Sequence, residues 1–507
     1  MKSIYLYLFL VTIILSSCDK GFVKVNTNPI SPTSLDPAYL LTNSQVSAML
    51  YNIQYQSPIA QQITTVFTGV LEGGAHNVWF EPGDGSSVWN LYPTSVKFLT
   101  DIIARTKDDP SRSNLYNMAR IWKAYCMQVL VDTYGYVPYS EAGQAYLNGI
   151  FLPKYDVDAT IYEDLVKELS EATAALDATG KVENVDLFYG GDIPKWKKLG
   201  NSLLLRVAMR YSKNNPTKAQ QYVAIAIDPA KGGLMSSNED NAKIVCSSSY
   251  PAPTAGSWNG TERANFYIAK PFIDLLQSTN DPRLKVIAVK YEFPDHDLAE
   301  AGNADTDPAD QLGMPMGYND ATISSAPGYP GVSGAAYKYS QVNRRTLGKS
   351  DATYFFVTYC QTQLLLAEAV ERGWATGNVE EIYNAAVKGG MDQMAQFDPS
   401  ATIAAADQDA YLAANPFDPA NALKQINTQY WINSFGEGQE AWSNLRRSGF
   451  PALTPNPFPG ADPEAKGEFV HRLHIQSSER SVNVESYNAM VSAMGPDNFA
   501  TRVFWDK

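Results

Sequence analysis

Apolar residues recur along this chain at helical spacing. From Gly191 to Lys213, Trp196, Leu199, Leu203, Val207 and Tyr211 follow one another at steps of three and four. That spacing predicts one apolar stripe along a helix of about six turns. Asp192 can cap its start and Pro194 suits its first turn. Asn214, Asn215 and Pro216 stop it. Lys195, Lys197, Lys198, Arg206 and Arg210 mostly flank the stripe, so the basic side chains are expected to stay in water.

The same period predicts two helices within Ala38–Val70, broken near Pro58, and further helices over Trp89–Thr106, Leu115–Tyr134, Thr160–Leu176 and Thr217–Ile227. It returns over Thr353–Arg372, Val379–Gln396, Ala420–Phe435 and Gln439–Arg447. Between 232 and 350 it mostly lapses, except at Lys270–Ser278, and Gly, Pro, Ser and Asn dominate. Lys243–Cys246 and Lys285–Tyr291 read as strands there. So long a connection is uncommon unless it is functional. The segment from Phe469 to Lys507 reads as irregular. Helix pairs thus recur about every 35–45 residues over 113–230 and 353–450, the packing of tetratricopeptide-like arrays, in which each pair buries its face against its neighbours. The fold class is mainly α, a helical-pair array with an irregular, loop-rich part.

The first 17 residues stand apart. Lys2 precedes an apolar run from Ile4 to Leu15, shorter than the roughly 20 residues that span a bilayer and suited to a secretory signal. Leu15-Ser16-Ser17-Cys18 resembles a bacterial lipobox, which implies lipidation of Cys18. The polar stretch 18–36 reads as a tether of roughly 25 Å when flexible. A single domain then occupies 37–507.

Composition narrows the chemistry. The formal charge of −13 argues against nucleic acid or an anionic lipid surface as the main partner. Besides Cys18 only Cys126, Cys246 and Cys360 remain, an odd number that argues against a disulfide framework. Cys126 and Cys360 fall in apolar helical patterns and read as buried thiols. Catalytic signatures are scarce: there is no HExxH, Walker loop or CxxC, and Gly331-Val332-Ser333-Gly334-Ala335 fails as a nucleophile elbow at its last position. The acidic run 295–310 lacks the ligand spacing of a calcium hand. His471 and His474 are spaced to share a helix face but read as surface or turn residues. No metal, cofactor or catalytic residue is assigned.

Thirty tyrosines, twenty phenylalanines and nine tryptophans suit flat ligands such as sugars. An aromatic plane covers a sugar's C–H face while Asn, Asp, Gln and Arg bond its hydroxyl rim. Aromatics on loops rather than helix stripes are the candidates: Trp79, Trp89, Tyr250, Trp258 and Tyr329, with Asn77, Asp84, Asn259 and Arg263 as rim partners. Covering roughly 100 Å² of sugar face gives about 2.5 kcal/mol. Two stacks, less the cost of immobilisation, predict high-micromolar to millimolar capture.

Several stretches in order then carry a resemblance. They are Asn28-Pro29, Tyr39-Leu40-Leu41-Thr42-Asn43, the turn Asp132–Tyr139 with Ser140-Glu141-Ala142, and Pro153-Lys154-Tyr155-Asp156. Tyr189-Gly190-Gly191-Asp192, Lys195-Trp196-Lys197-Lys198, Asn201-Ser202-Leu203, Asp281-Pro282-Arg283 and Ala367-Glu368-Ala369 follow. The last are Gly438-Gln439-Glu440-Ala441-Trp442, Arg446-Arg447-Ser448-Gly449-Phe450-Pro451 and Phe504-Trp505-Asp506. Behind a lipobox, the chain resembles the SusD/RagB family of outer-membrane lipoproteins, nearer its SusD-like second branch. It departs at His471-Arg472-Leu473-His474, where an Arg-Leu-Pro-Tyr type segment is expected. The resemblance implies four tetratricopeptide-like units and a TonB-dependent barrel of the SusC type as partner, for which the protein acts as lid and nutrient receptor. The ligand stays open between oligosaccharide and peptide, and a glycoside hydrolase is the third reading.

Overall fold

The computed structural model describes residues 35–80 and 88–507. The signal, Cys18, most of the tether and the candidate Asp84 lie outside it. We number the helices of nine residues or more α1 Pro37–Ser47, α2 Lys97–Thr106, α3 Ser113–Tyr134, α4 Asp158–Ala175, α5 Ile193–Arg210, α6 Pro216–Ala226, α7 Lys270–Ser278, α8 Tyr359–Glu371, α9 Val379–Phe397, α10 Ala405–Ala414, α11 Ala422–Asn433, α12 Gly438–Ser448 and α13 Val484–Met494. Among the described residues no helix is long and apolar enough to cross a membrane.

Helix α5 forms for the reasons its sequence states. Asp192 accepts from the Lys195 backbone N–H at 3.1 Å, and Trp196, Leu199, Leu203 and Val207 are buried. Asn215 caps the next helix by accepting from Lys218 N–H, and Pro216 begins it. α5 packs between α4 and α6 and touches α8, while α8 packs on α9 and α11. The two helical halves thereby share one core, which holds Trp122, Trp196, Trp431, Trp442 and Trp505.

One expectation for α5 fails. Arg206 and Arg210 are not in water but buried. Arg210 donates to Asp132 Oδ2 at 3.1 Å and to Glu440 Oε2 at 2.7 Å. Tyr162 and Trp505 Nε1 also bond Asp132, and Tyr430 donates to Glu440 at 2.7 Å. Arg206 bonds the Phe356 carbonyl and Gln361. A second joint pairs Arg447 with Glu368, and a third pairs Arg283 with Asp281 and Asn433. Buried charge is tolerable only when paired and hydrogen-bonded in this way. Asp132, Asp281, Arg283, Glu368, Glu440 and Arg447, all in stretches that carry the family resemblance, take part in these joints and so help lock helices together.

Strands are short. β1 Ile63–Thr64 pairs antiparallel with β3 Tyr267–Ile268, and β2 Ala242–Ile244 with β9 Tyr354–Val357. β4 Ala288–Tyr291 lies between β5 Ala304–Asp305 and β8 Gln341–Val342, and β6 Val332–Ser333 forms a hairpin with β7 Ala336–Tyr337. The reading of 353–372 as one helix is therefore corrected: its aromatic and β-branched start is β9, and Thr358 caps α8. Lys285–Tyr291 begins as a helical turn over Leu284–Ile287 before β4. The closing segment is less irregular than expected, for it holds the turn Ser477–Val482 and α13. His471 and His474 lie on neither. Cys126, Cys246 and Cys360 are all buried free thiols.

Candidate functional site

Loop segments from the irregular part converge on a small satellite core. Val66, Tyr267, Met314, Ile323, Ala326 and Tyr339 are its buried members, with Tyr318, Tyr329 and Tyr337 packed half-buried around them. The rings meet edge to face: Tyr267–Tyr337 centroids are 6.1 Å apart at 67°, and Tyr329–Tyr337 6.3 Å at 64°. Such tilted contacts suit aromatic quadrupoles and hold each ring in a fixed plane. Phe67, next to Val66, leaves 40% of its surface open.

Backbone bonds hold these pieces together. Asp320 N–H donates to the Val66 carbonyl at 2.8 Å, and Tyr337 N–H to the Tyr267 hydroxyl at 2.8 Å. His76 Nε2 bonds the Tyr318 carbonyl at 3.0 Å, tying segment 69–80 to the same face. The β6–β7 turn needs Gly334: its φ is +59°, and a Cβ would stand 2.2 Å from Asp295 Oδ2. Burial pushes the Tyr339 phenol up to about 12 and also raises Tyr337 and Tyr267, so these hydroxyls stay neutral.

Pro315 and Met316 also line an open groove of about 380 Å³, together with Gln61, Lys270, Asp274 and Pro457. Lys270 and Asp274 pair at 2.7 Å on its exposed rim. Half-buried aromatic rings on the one hand, and exposed hydrogen-bonding groups at the groove on the other, are the two kinds of contact a sugar ring takes.

Of the sequence candidates, Tyr329 stands in this cluster. Trp79 does not: it packs half-buried against the main core, beside Tyr55 and Phe499. One ring face stacks on His474 at 4.9 Å, and its backbone N–H donates to Asp462 Oδ2. Asn77 is buried in a left-handed conformation (φ +53°), and its carbonyl accepts from Asp462 N–H, so it shapes the loop. Trp89 does not belong: it is 6% exposed and wedged edge-on between Tyr92 and Tyr134 in the main core, because it opens a helical turn rather than a loop. Trp258 lines a separate inner cavity of about 60 Å³, with Asn52, Ser57 and Glu437. At roughly 10–15 Å³ per water that volume admits a few waters and no sugar. Asn259 is spent on the Ala255 and Gly348 carbonyls, and Arg263 on Asp297 and the Gly260 carbonyl. Tyr250 packs half-buried against the main core. Phe67, Tyr318 and Tyr337 escaped the sequence reading, although Tyr318 and Tyr337 lie in the same loop-rich part as Tyr329. Among the described residues no group of three His, Cys, Asp or Glu side chains is placed to hold a metal.

Fold and face together define a helical-array scaffold that presents aromatic loops. The family model SusD-like_2, described as starch-binding associating with outer membrane, matches residues 29–473. The chain belongs to this SusD-like family. Among solved structures it is similar to a chitin-binding protein (29% identity, TM-score 0.79, 93% of this chain and 100% of that one). A Bacteroidetes SusD-like protein, AC2a, matches at 25% identity and TM-score 0.79, again over 93% and 100% of the chains. A chitin-binding SusD homolog from Flavobacterium johnsoniae, at 23% identity, TM-score 0.75 and 93% and 98% coverage, shares the fold. No curated protein sequence matches the chain significantly.

Proposed function

We propose that this protein is a surface-exposed outer-membrane lipoprotein, anchored through Cys18, that binds an oligosaccharide without turning it over. It then passes the ligand to a SusC-like TonB-dependent barrel, over which it sits as a lid. The observation that carries the binding reading is the half-buried cluster of Tyr318, Tyr329 and Tyr337 on a SusD-like scaffold, with the exposed Phe67 next in the chain to its core residue Val66. Tyr329 and Tyr337 cover sugar rings, and the exposed Lys270–Asp274 pair bonds hydroxyls. Weak capture follows from stacking of a few kcal/mol set against immobilisation, and weak capture permits hand-over. The description of the family and the chitin-binding relative support a carbohydrate rather than a peptide.

Titration calorimetry with chitin and starch oligosaccharides, set beside a peptide digest, tests the ligand. The expected outcome is saturable binding of an oligosaccharide at high-micromolar to millimolar concentration with no products released; binding of the digest alone overturns it. Mild-detergent purification from outer membranes tests the partner, and repeated absence of a large co-purifying barrel removes that part.

A further inference from the structure

Away from the tyrosine cluster, a cavity of about 210 Å³ opens between the end of α12 and the closing segment. Trp442 and Leu445 of α12, with Leu453 and Phe469, give it apolar walls. Lys213, Arg446, His471, Arg502 and Asp506 also line it. A chain with a formal charge of −13 thus gathers three permanent cations and one carboxylate around one space.

That carboxylate is already shared. Asp506 is buried, and its Oδ1 accepts from Lys213 Nζ at 3.1 Å and from Arg502 Nη1 at 3.2 Å. Its Oδ2 meets His471 Nδ1 at 2.6 Å. Lys213 and Arg502 also donate to the Asp506 carbonyl, yet 38% and 43% of their side chains stay open. Two accessible cations therefore stand over one buried acid.

Arg446 lies deeper, only 8% exposed, with its guanidinium 3.8 Å from the Trp442 ring centroid and 4.7 Å from that of Trp505. It donates to the His471 and Asp132 carbonyls and to Ser443 Oγ, and its Nε has no hydrogen-bond partner within the protein. Asp506 and Asp132 offset its charge only through space, and the Asp132 carboxylate is bonded to Arg210. Burial accordingly pulls the guanidinium down to about 10. A buried cation without a bonded counter-charge is costly, and an anion in the adjoining space offsets that cost.

Size and walls narrow the anion. An apolar cavity of about 150 Å³ holds benzene, so this one has room for a single ring and one small polar group, and none for an oligosaccharide. Low-dielectric walls strengthen the pull of the cations at its edge. The hydroxyls of a sugar acid would be left unpaired against Trp442, Leu445 and Phe469, whereas a flat apolar ring is covered by them.

We propose that this cavity is a second binding site, separate from the ligand face, for a small carboxylate borne on a single aromatic ring. The carboxylate meets Lys213 and Arg502, and the ring lies against Trp442 and Leu453. Fluorine NMR of 4-fluorobenzoate with the purified protein tests it. The expected result is a saturable shift of the fluorine line, reversed by excess benzoate and left in place by benzamide, which keeps the ring and lacks the charge. Lys213→Met with Arg502→Met should weaken binding about ten-fold or more, with the fold retained by circular dichroism. Arg502→Met alone should weaken it in part, and is read where the double variant does not fold. Leu453→Trp, which narrows the cavity without touching a charge, should weaken it too. No saturable shift, or undiminished binding in the charge variants, overturns the site. Displacement by benzamide as effective as by benzoate overturns the carboxylate, and equal displacement by glucuronate or inorganic phosphate overturns the aromatic ring.

Discussion

Arg447 and Glu368, far apart in sequence, meet as a buried bidentate pair, Nη1 to Oε1 and Nη2 to Oε2 at 2.7 Å each. Burial alone would push the Glu368 carboxyl up. Arg447, helped by Arg372 and Asn427, overrides it and holds the group at about 2. A depressed carboxyl stabilises the fold above its unfolded value near 4.5 and loses that contribution as pH falls toward 2. Glu368→Gln leaves the Arg447 guanidinium buried without a counter-charge, and should cost about 3–5 kcal/mol. Urea midpoints at pH 7 check the cost. The variant should also show a shallower loss of stability between pH 4.5 and 2.

Glu437 behaves in the opposite sense. Burial in the small inner cavity raises its carboxyl to about 7, with Arg206 only partly opposing, and its Oε2 has no hydrogen-bond partner within the protein. Between about 4.5 and 7 the folded state holds the proton that the unfolded state has released, so stability falls as pH rises through that window. Glu437→Gln should flatten the fall and gain up to about 3 kcal/mol above pH 7. Melting temperatures from pH 5 to 8 for the two proteins decide it; parallel curves would refute the assignment.

On the ligand face, Tyr329→Ala and Tyr337→Ala should each weaken oligosaccharide binding about five- to thirty-fold, the equivalent of about 1–2 kcal/mol of stacking. Melting temperatures should move little, since both rings are only half-buried around a satellite core. Trp89→Ala should do the reverse, leaving affinity intact where the protein folds but costing about 3–5 kcal/mol of stability. Calorimetry paired with thermal melts separates these patterns.

Burial pushes the Cys246 thiol up to about 11 and Cys360 to about 12, and raises Cys126 as well. None should react with a thiol reagent at pH 8 in the folded protein, and all three should react in urea. A kinetic trace with Ellman's reagent shows which occurs.

The helical half was legible because its signals are local. Asp192, Pro194 and the Trp196–Val207 stripe specify α5 within their own segment. Arg206 and Arg210 mislead because spacing treats a charge as solvent-seeking, and the carboxylates that bury Arg210 lie on α3 and α12. β9 was hidden inside an apolar run whose period cannot separate a strand from a helix start. The ligand face was half legible. Tyr329 was legible from its place on a loop, but the approach of Val66 and Phe67 to the tyrosine segment depends on Asp320 bonding Val66 across half the chain. Arg263 sits in a turn as expected, whereas Trp258 stands in a short helix, Ala255–Asn259, and only three-dimensional partners show that both are already engaged.

The satellite core beneath Phe67 and the tyrosines is separate from the large core that holds the helices. None of the joints at Arg210, Arg447 or Arg283 passes through it. Retuning what the face grips therefore puts little of the scaffold's free energy at risk, and exchange of the 314–339 segment for a differently shaped one should yield a folded protein with a new preference. The architecture insulates innovation from collapse.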